Sequence, residues 1–573
     1  MPPRFPVQES IAVQPFDPSV PLITPTPSAY GYPLLVRQLL VNALAVSPDQ
    51  QITYRGERRH TFAALNRRIG RLANALAALG VRHGSTVAIM DWDSHRYLEG
   101  YFAIPMMGAT MLTVNVRTSA QQIAYALNDA NADVLIVHTD FLPLLEQIHG
   151  ELRSVRTLII AADGDGDGDG DSGGLDVPAM PCAGEFEHLL AAASEHFPFE
   201  DFDENTRAAL FYTTGTTGDP KGVFYSHRQI VLHALATATT LCSPREGQRL
   251  HREDVYMPIT PMFHVLAWGM PYIAVLLGLK IVLPGRYQPD TLLKLKASEK
   301  VTFSHCVPTL LQMLLDASGR DGQDLSGWKM IIGGSALSPT LCRAALARGI
   351  DVFSGYGMSE TGPVVALSQC APGAAPVSID EEVRRRCMAG RPVPMVELRV
   401  VDADMNEVAR DGRSQGEIVL RAPFLTQGYH GKPGASEALW AGGYLHTQDV
   451  AVVTQDSYVQ IVDRMKDVIK TGGEWVSSIE VEALINAIPG VRESAVVGVK
   501  DDKWGERPQA FIVCEPDAAL TGSEVRAHLL VLVEANRISR YAVPEIARIV
   551  FVAEIARTSV GKIDKKLLRQ QSD

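Results

Sequence analysis

Short aliphatic runs alternate with amphipathic helical segments through most of this chain. A helix that ends at Gly80 is predicted by apolar side chains at steps of three and four, namely Leu65, Ile69, Leu72, Leu76 and Leu79. Aliphatic runs that predict buried strands follow it: Thr86–Met90, Val134–Val137, Leu158–Ile160, Lys280–Leu283, Val301–Phe303 and Met330–Ile332. This alternation is typical of parallel or mixed sheets covered by helices.

The character of the chain changes near residue 395, where short strands and turns such as Glu397–Val401 and Glu417–Leu420 begin. A compact tail follows Asp463–Asp467, with helices predicted from Ser478 and Ser523 and strands at Ala495–Val499, Ala510–Cys514 and Ile549–Val552. We therefore predict an α/β protein. A large N-terminal domain of helix-covered sheets plus a β-rich subdomain spans residues 1–462, a hinge spans 463–468, and a small mobile α+β domain spans 469–573.

The composition excludes several classes of protein. Hydrophobic residues make up 46% of the chain, and the net charge of −12 argues against nucleic-acid binding, which needs a basic surface. The seven cysteines are scattered without a C-x-x-C pair, so we expect reduced thiols and no zinc site. The N-terminus lacks the apolar core of a signal peptide, and no apolar run is long enough to span a bilayer. A cytoplasmic protein without a transmembrane segment is therefore expected.

The stretch Tyr212–Gly222 concentrates four threonines, three glycines and Lys221 directly after an apolar run. A strand that ends in such a segment presents backbone N–H groups, hydroxyls and a cation to a ligand, a chemistry that suits phosphate. The spacing of Gly215, Gly218 and Lys221 does not fit the motif G-x-x-x-x-G-K-[ST]. Taken alone, the segment is also compatible with a flexible surface loop.

Four further segments accompany this stretch: Ile332–Ser335, Gly355–Gly362, His446–Asp449 and Arg557–Asp564. In order and spacing, the five segments resemble those of the adenylate-forming enzymes, the superfamily of acyl-CoA synthetases, adenylation domains and firefly luciferase. The resemblance covers nearly the whole chain. Within the superfamily the chain is most similar to the bacterial medium- and long-chain fatty-acid–CoA ligases, on the segments Tyr97–Ala103, Pro261–Trp268 and Lys470–Ser478.

The resemblance implies that a carboxylate attacks the α-phosphorus of ATP and that the acyl-adenylate then passes its acyl group to CoA. Because two anions meet in the first step, the site must neutralise charge as it develops. The residues implied to bind ATP or AMP are Thr213, Thr214, Gly215, Thr216, Thr217, Gly218, Lys221, Gly333, Gly334, Ser335, Gly355, Tyr356, Gly357, Thr361, Asp449 and Arg464.

The resemblance also implies individual roles. Glu360 and Thr214 would hold Mg²⁺, Thr361 would contact the α-phosphate, and Tyr356 would stack on adenine. Asp449 would accept hydrogen bonds from the ribose hydroxyls with support from Arg464. The residues implied to act in catalysis are Lys562, Glu360, Thr214 and His264.

Two positions depart from the family pattern. Gln448 stands where glycine is usual, which predicts a different local backbone. Asp219 stands where leucine or arginine is common and places an acid beside the phosphate segment. Neither departure removes a functional group.

The resemblance assigns the C-terminal part a mobile role. Lys562 would bridge the carboxylate and the α-phosphate in the first step and withdraw for the second, with the small domain rotating about Lys466. The channel for the CoA thiol would then be lined by Gly472, Gly473, Glu474 and Trp475. The alternatives are a solvated surface lysine for Lys466 and a packing residue for Trp475.

The resemblance implies that the acyl group meets His264, Val265, Trp268 and Val307. His264 and Trp268 stand at i and i+4, so on a helix they would face the same side. In the fatty-acid ligases that the chain resembles, such a tryptophan gates the acyl tunnel. A satisfied core histidine and a core-filling tryptophan are the alternatives. Because the neighbouring side chains are apolar, an aliphatic monocarboxylate fits best.

These observations predict an acid–thiol ligase that uses ATP, Mg²⁺ and coenzyme A and acts on a medium- to long-chain fatty acid. Transfer to a carrier protein, a short thioether acid such as methylthiopropionate, and an aryl acid are the alternatives. A nucleotide sensor without turnover is disfavoured because both Glu360 and Lys562 are present. The expected partners are small molecules; peripheral membrane contact and homodimerisation are left open.

Overall fold

The computed structural model describes residues 23–164, 179–213, 220–245, 247–369, 378–471, 474–501, 503–516, 518–535, 537–557 and 563–572. Its helices are α1 (Gln38–Val46), α2 (Phe62–Ala78), α3 (His95–Met106), α4 (Ala120–Asp129), α5 (Leu142–Glu146), α6 (Phe186–Ala192), α7 (His227–Cys242), α8 (Met270–Leu277), α9 (Pro289–Glu299), α10 (Pro308–Asp321), α11 (Pro339–Ala347), α12 (Ile379–Arg386), α13 (Pro433–Leu439), α14 (Ser478–Asn486), α15 (Gly522–Glu534) and α16 (Lys565–Gln570).

The strands, in chain order, are β1 (Gln51–Tyr54), β2 (Arg58–Thr61), β3 (Thr86–Met90), β4 (Thr110–Thr113), β5 (Val134–His138), β6 (Thr157–Ala161), β7 (Cys182–Glu185), β8 (Arg207–Tyr212), β9 (Gly222–Ser226), β10 (Val255–Pro258), β11 (Lys280–Leu283), β12 (Phe303–Cys306), β13 (Lys329–Ile332), β14 (Asp351–Gly357), β15 (Val364–Leu367), β16 (Arg391–Pro392), β17 (Glu397–Val401), β18 (Gly416–Arg421), β19 (Leu445–Val453), β20 (Val459–Arg464), β21 (Ile469–Thr471), β22 (Glu474–Val476), β23 (Val491–Asp501), β24 (Gly505–Cys514) and β25 (Ile549–Phe551).

Helix α2 shows how local sequence produces these elements. Thr61 caps its start by accepting a hydrogen bond from the Ala64 N–H at 3.1 Å. The predicted apolar stripe is buried, with Ile69 and Leu72 fully excluded from solvent. The chain leaves the helix at Gly80, whose φ of +84° suits glycine. The predicted helix is confirmed.

Two large sheets carry the first part of the chain. One has seven strands in the order β7-β6-β5-β3-β4-β8-β9, and the other has nine in the order β16-β15-β14-β13-β12-β10-β11-β1-β2. The central pairings of both sheets are parallel, with antiparallel strands at the edges. Helix α3 contacts strands of both sheets, and all twelve of its residues are buried. The main core therefore lies between the two sheets.

The predicted strands of this region are confirmed, with one shift. The run Val301–Phe303 was expected to form a strand, but β12 begins only at Phe303 and extends to Cys306. Val301 instead closes the end of α9, because its N–H donates to the Lys296 carbonyl at 3.1 Å after Lys300 turns at φ +59°. Aliphatic character alone does not distinguish the end of a helix–strand connection from the start of a strand.

The remaining strands form two smaller sheets. Strands β17–β20 make an antiparallel four-stranded sheet, and residues 469–551 supply a five-stranded sheet with its own buried core around Ile469, Val496 and Ile512. Between the two sheets, the buried Asp463 carboxylate of β20 accepts a hydrogen bond from the Ser478 N–H at the start of α14, at 2.6 Å. The predicted α/β fold class is confirmed, whereas the boundaries at 462 and 469 stay a prediction.

Among the described residues, none of the helices combines the length and the apolar character that crossing a bilayer requires.

Candidate active site

Strands β8 and β9 bring together the two ends of the predicted phosphate-binding segment. The Thr213 N–H donates to the Lys221 carbonyl at 2.9 Å, and the Lys221 N–H lies 3.4 Å from Thr213 Oγ1. The Lys221 ammonium lies 4.6 Å from the centre of the Tyr429 ring. The predicted binding residues between these ends, Thr214, Gly215, Thr216, Thr217 and Gly218, and the departure at Asp219, lie outside the described residues.

Glu360 lies in a short 3₁₀ turn, Ser359–Thr361, directly after β14, and is only 7% exposed. The Tyr429 hydroxyl donates to Glu360 Oε1 at 2.7 Å. Burial raises the pKa of Glu360, whereas the bond from Tyr429 and the positive charges of Arg464 and Lys221 oppose that rise. The predicted magnesium ligand is therefore a buried carboxylate that faces two cations.

This environment fits a magnesium ion bound mainly by its substrate. Mg²⁺ prefers oxygen ligands and usually keeps several waters and substrate phosphates in its coordination shell. The protein therefore needs to supply only one carboxylate ligand. Among the residues that the structure describes, no group of three His, Cys, Asp or Glu side chains is arranged to hold a metal ion.

The hydroxyl of Thr361 is engaged within its own turn. It accepts a hydrogen bond from the Met358 N–H at 2.9 Å and donates to the Pro363 carbonyl, and the residue is fully buried. The predicted contact of Thr361 with the α-phosphate stays a prediction.

A cluster of three polar side chains joins the nine-stranded sheet to the four-stranded sheet. The Tyr356 hydroxyl at the end of β14 donates to Asp449 Oδ2 at 2.8 Å, and Arg464 Nε lies 3.1 Å from Asp449 Oδ1. Asp449 is buried, and its charge is the main cause that raises the pKa of Arg464. The structure thus brings together the three residues that were predicted to surround adenosine.

Glycines allow the strands at this site to approach closely. A Cβ on Gly333 would lie 2.9 Å from the Gly355 carbonyl oxygen and 2.9 Å from Trp268 Cη2, and one on Gly357 would lie 1.7 Å from the Pro363 carbonyl oxygen. Gly334 and Ser335 follow Gly333 at the exposed end of β13. Side chains at Gly333 and Gly357 would therefore displace the backbone on which the site is built.

The prediction that His264 and Trp268 share one face of a helix is wrong. Val265, Leu266, Ala267 and Trp268 have φ values of +49°, +53°, +45° and +59°, and Gly269 follows at +72°. The i, i+4 rule assumes a right-handed helix, whereas these residues form one left-handed turn. Each non-glycine residue in this conformation costs about 1–3 kcal/mol, so the surroundings must hold the turn. We call Val265–Gly269 the left-handed turn.

The left-handed turn meets the end of β13 at Trp268. The Trp268 ring centre lies 5.0 Å from that of His305, and its edge packs against Gly333. The Gly333 N–H donates to the Cys306 carbonyl at 3.1 Å, which places Val307, the next residue, beside the same strand end. Two predicted acyl-binding residues, Trp268 and Val307, thus lie near Gly333, while Val265 begins the left-handed turn and His264 directly precedes it.

The predicted hinge lies between the four-stranded and five-stranded sheets. Lys466 lies between β20 and β21, and partial desolvation of its ammonium lowers its pKa. Its carbonyl accepts a hydrogen bond from Arg569 of α16 at 3.2 Å, and the same guanidinium pairs with Asp467 at 2.6 Å. The C-terminal helix therefore contacts the predicted hinge directly.

The other predicted residues of the small domain are only partly described. Glu474 and Trp475 pair with Thr471 and Lys470 in the β21–β22 ladder, but their side chains lie outside the described residues. Gly472, Gly473 and Lys562 also lie outside them. The flanking residues Arg557 and Ile563 pair as an antiparallel bridge. The roles of these residues stay predictions.

Two family models match this chain. Residues 40–430 match the model described as AMP-binding enzyme, and residues 480–562 match that of the AMP-binding enzyme C-terminal domain. The chain belongs to the AMP-binding enzymes. The resemblance to the adenylate-forming superfamily is confirmed.

Three relatives illustrate the range of the AMP-binding enzymes near this one. A long-chain-fatty-acid–CoA ligase of Thermus thermophilus is 39% identical, with 90% of each chain covered. A medium-chain-fatty-acid–CoA ligase of Ectopseudomonas oleovorans is 34% identical, again with 90% of each covered. A 3-methylmercaptopropionyl-CoA ligase of Ruegeria pomeroyi is 34% identical, with 94% of this chain and 97% of that protein covered. This AMP-binding enzyme is therefore an acid–thiol ligase that works through adenylation.

A solved structure shares the fold of this AMP-binding enzyme over most of its length. Anthranilate CoA ligase in complex with anthranoyl-AMP aligns with a TM-score of 0.81 at 25% identity, over 95% of this chain and 98% of that one.

Sequence reasoning missed Tyr429, which contacts both Glu360 and Lys221. Its segment, Gly428-Tyr429-His430-Gly431, carries no periodicity. The signal that the sequence offers is a Tyr-His pair between Gly428 and Gly431, in the stretch that leads to the His446–Asp449 motif.

Gln448 adopts the left-handed conformation, with φ +58°, that glycine favours. Its N–H donates to Glu417 Oε1 and its carbonyl accepts from the Met465 N–H, both at 2.9 Å, while its side chain is exposed. Gln448 thus adopts the backbone conformation that glycine would favour at the cost of strain, and its bonds to Glu417 and Met465 are made by its main chain.

Proposed function

We propose that this ligase converts a medium- to long-chain fatty acid into its CoA thioester. In the first step the carboxylate oxygen attacks the α-phosphorus of ATP, which gives the acyl-adenylate and pyrophosphate. In the second step the CoA thiol attacks the acyl carbon, which gives the acyl-CoA and AMP. The names of the Thermus and Ectopseudomonas relatives support a fatty acid as the substrate.

The observation that carries this proposal is the contact between Trp268 and Gly333. The left-handed turn is buried and carries only apolar and aromatic side chains, whereas the nucleotide side is lined by Glu360, Asp449 and Arg464. An acid with an aliphatic tail would lie along the apolar side and present its carboxylate to the polar side. His264, directly before the turn, would face the reacting carboxylate.

We assign the polar groups to parts of ATP. Lys221 and the threonine-rich segment after Thr213 would bind the β- and γ-phosphates. Glu360 would hold Mg²⁺ together with Thr214, and this ion would neutralise phosphate charge. Tyr356 would stack on adenine, and Asp449, oriented by Arg464, would accept the ribose hydroxyls.

We assign Lys562 to the first step only, where its ammonium would bridge the carboxylate and the α-phosphate. The small domain would then turn at Lys466, so that Gly472–Trp475 lines the thiol channel. Lys562→Ala is expected to abolish pyrophosphate exchange while thioester formation from a supplied acyl-adenylate persists. Equal loss of both half-reactions would contradict this assignment.

Lys466→Pro should impair thioester formation, because it removes the φ freedom that the rotation needs.

The substrate is tested by AMP release with straight-chain acids from C2 to C18, with and without CoA. Each buried methylene contributes about 0.8 kcal/mol, so kcat/KM should rise about fourfold per methylene until the tunnel is filled. A maximum at short acids would contradict the fatty-acid proposal. Adenylate formation without CoA turnover would indicate a carrier protein as the acceptor.

A short thioether acid is the second candidate, because the Ruegeria ligase named for 3-methylmercaptopropionate matches this chain as well as the Ectopseudomonas ligase does, at 34% identity. The same assay with 3-methylthiopropionate separates the two, since a kcat/KM above that of dodecanoate would favour the thioether.

A further inference from the structure

The segment Pro261–His264 leads from β10 into the left-handed turn, and three side chains distant in sequence bind its backbone. Asp93 Oδ1 accepts a hydrogen bond from the Met262 N–H at 2.8 Å. The Tyr101 hydroxyl donates to the Met262 carbonyl. Thr113 Oγ1 donates to the Phe263 carbonyl at 2.8 Å. We call Asp93, Tyr101 and Thr113 the three anchors.

The three anchors belong to the other large sheet. Asp93 follows β3, Tyr101 lies on α3 and Thr113 ends β4, all on the side of the seven-stranded sheet, whereas the segment they bind follows β10 of the nine-stranded sheet. All three are at most 2% exposed. Bonds between buried groups tolerate little displacement, because a buried donor or acceptor that loses its partner finds no water to replace it.

Asp93 is itself held in place. The Tyr287 hydroxyl donates to Asp93 Oδ2, and the Gly285 N–H donates to the Asp93 carbonyl at 3.0 Å. Tyr287 in turn packs under Arg117, whose guanidinium carbon lies 5.6 Å from the centre of the ring. The anchor is therefore part of a rigid contact between the two sheets.

The residues after this segment need such support. Four successive non-glycine residues have positive φ, a conformation that persists only where the surroundings impose it. Two hydrogen bonds at the turn are local: the His264 N–H donates to the Pro261 carbonyl, and the Ala267 N–H donates to the His264 carbonyl. Local bonds define the shape of the turn but not its position relative to the nucleotide side.

We propose that Asp93, Tyr101 and Thr113 are positioning residues that hold His264 and the left-handed turn in place and thereby set the selectivity for acyl chain length. This inference rests on the proposed function, in which the turn contacts the acyl group. A shift of the turn would move Trp268 against Gly333 and change the depth available to the acyl chain.

Thr113→Val tests the proposal, because it keeps the shape of the side chain and removes the hydroxyl that donates to the Phe263 carbonyl. Thr110→Val is the matched control: it makes the same change at a buried position of the same strand, away from the segment. We expect Thr113→Val to raise the KM for dodecanoate about tenfold and to change the dodecanoate-to-octanoate ratio of kcat/KM at least about threefold. The KM for ATP should stay within about twofold, and Thr110→Val should resemble the wild type.

Asp93 supplies an independent rescue test. Asp93→Asn keeps an acceptor for the Met262 N–H, whereas Asp93→Ala removes it, so only the alanine variant should shift the chain-length ratio. The proposal is overturned if Thr113→Val behaves like Thr110→Val, or if it changes the KM values for ATP and for both acids equally. If the wild type uses neither acid, the fatty-acid assignment fails instead, and the same variants are compared on the acid that releases most AMP.

Discussion

On the nucleotide side of the site, side chains bond to side chains, as Tyr429 does to Glu360 and Tyr356 does to Asp449. On the acyl side, buried side chains instead bind the backbone that leads into the left-handed turn. In the proposed function, the first arrangement places charges against a ligand of constant structure, the nucleotide. The second places a piece of main chain, which leaves the side chains of the turn available for the variable part of the substrate. We therefore expect function on the nucleotide side to depend on the identity of the side chains. On the acyl side we expect it to depend on the position of the backbone.

The largest effect is expected from Glu360→Gln, which keeps the shape of the side chain and removes its charge. Adenylate formation should fall about 100- to 1000-fold, because a neutral amide would hold Mg²⁺ poorly and the negative charge of the phosphates would then lack its proposed counterion. ATP–pyrophosphate exchange measures the loss, and Glu437→Gln on exposed α13 is the control. A loss below about threefold would show that the nucleotide side does not depend on this carboxylate.

Gly333→Ala tests the position where the two sides meet. The added Cβ would lie 2.9 Å from both the Gly355 carbonyl oxygen and Trp268 Cη2, so strand and turn cannot both stay in place. We expect kcat/KM to fall at least about tenfold for ATP and for the acid alike. Gly434→Ala, which has no atom within 4 Å of the added Cβ, is the control. An effect on one substrate alone would mean that the two sides move independently.

Tyr429→Phe removes one hydrogen bond from a buried carboxylate and leaves the ring over which Lys221 lies. Bonds to charged groups contribute about 1.5–3 kcal/mol, so the KM for ATP should rise about tenfold or more. Steady-state kinetics at saturating acid measures this change, with Tyr32→Phe at an exposed position as the control. An unchanged KM would restrict Tyr429 to a packing role.

The smallest effect is expected from Gln448→Gly. Glycine relieves the strain at φ +58° but loses more conformational freedom on folding, so the free energy of unfolding should rise by about 1 kcal/mol or less. Thermal unfolding measures the shift. Gln448→Ala removes the same side chain without relieving the strain and should give no gain. A gain from both variants would locate the effect in the side chain instead of the backbone.

The parts of this molecule that follow simple periodicity were predictable. Strands β3 and β11 match the predicted runs residue for residue, because buried strands in parallel sheets are largely continuous and apolar. Strand β17 also matches its predicted run, although only its last two residues are buried. The residues of the nucleotide side were found because their chemistry occurs in compact segments. The left-handed turn was missed, since its spacing also fits an ordinary helix. The three anchors were missed for a different reason: they lie 169, 161 and 150 residues from their partners and bind main-chain atoms, which have no signature in a sequence.

The contact between Asp463 and Ser478 has a consequence for the alternation of the enzyme between its two steps. If the small domain turns at Lys466, the Asp463 carboxylate stays with the four-stranded sheet while its donor leaves with α14. An anion that is sheltered in one orientation then becomes hydrated in the other. Solvents that hydrate anions poorly should therefore lengthen the time that the small domain spends in the sheltered orientation. The turnover rate would then depend on the solvent through the rotation, even where the rates of the chemical steps do not change.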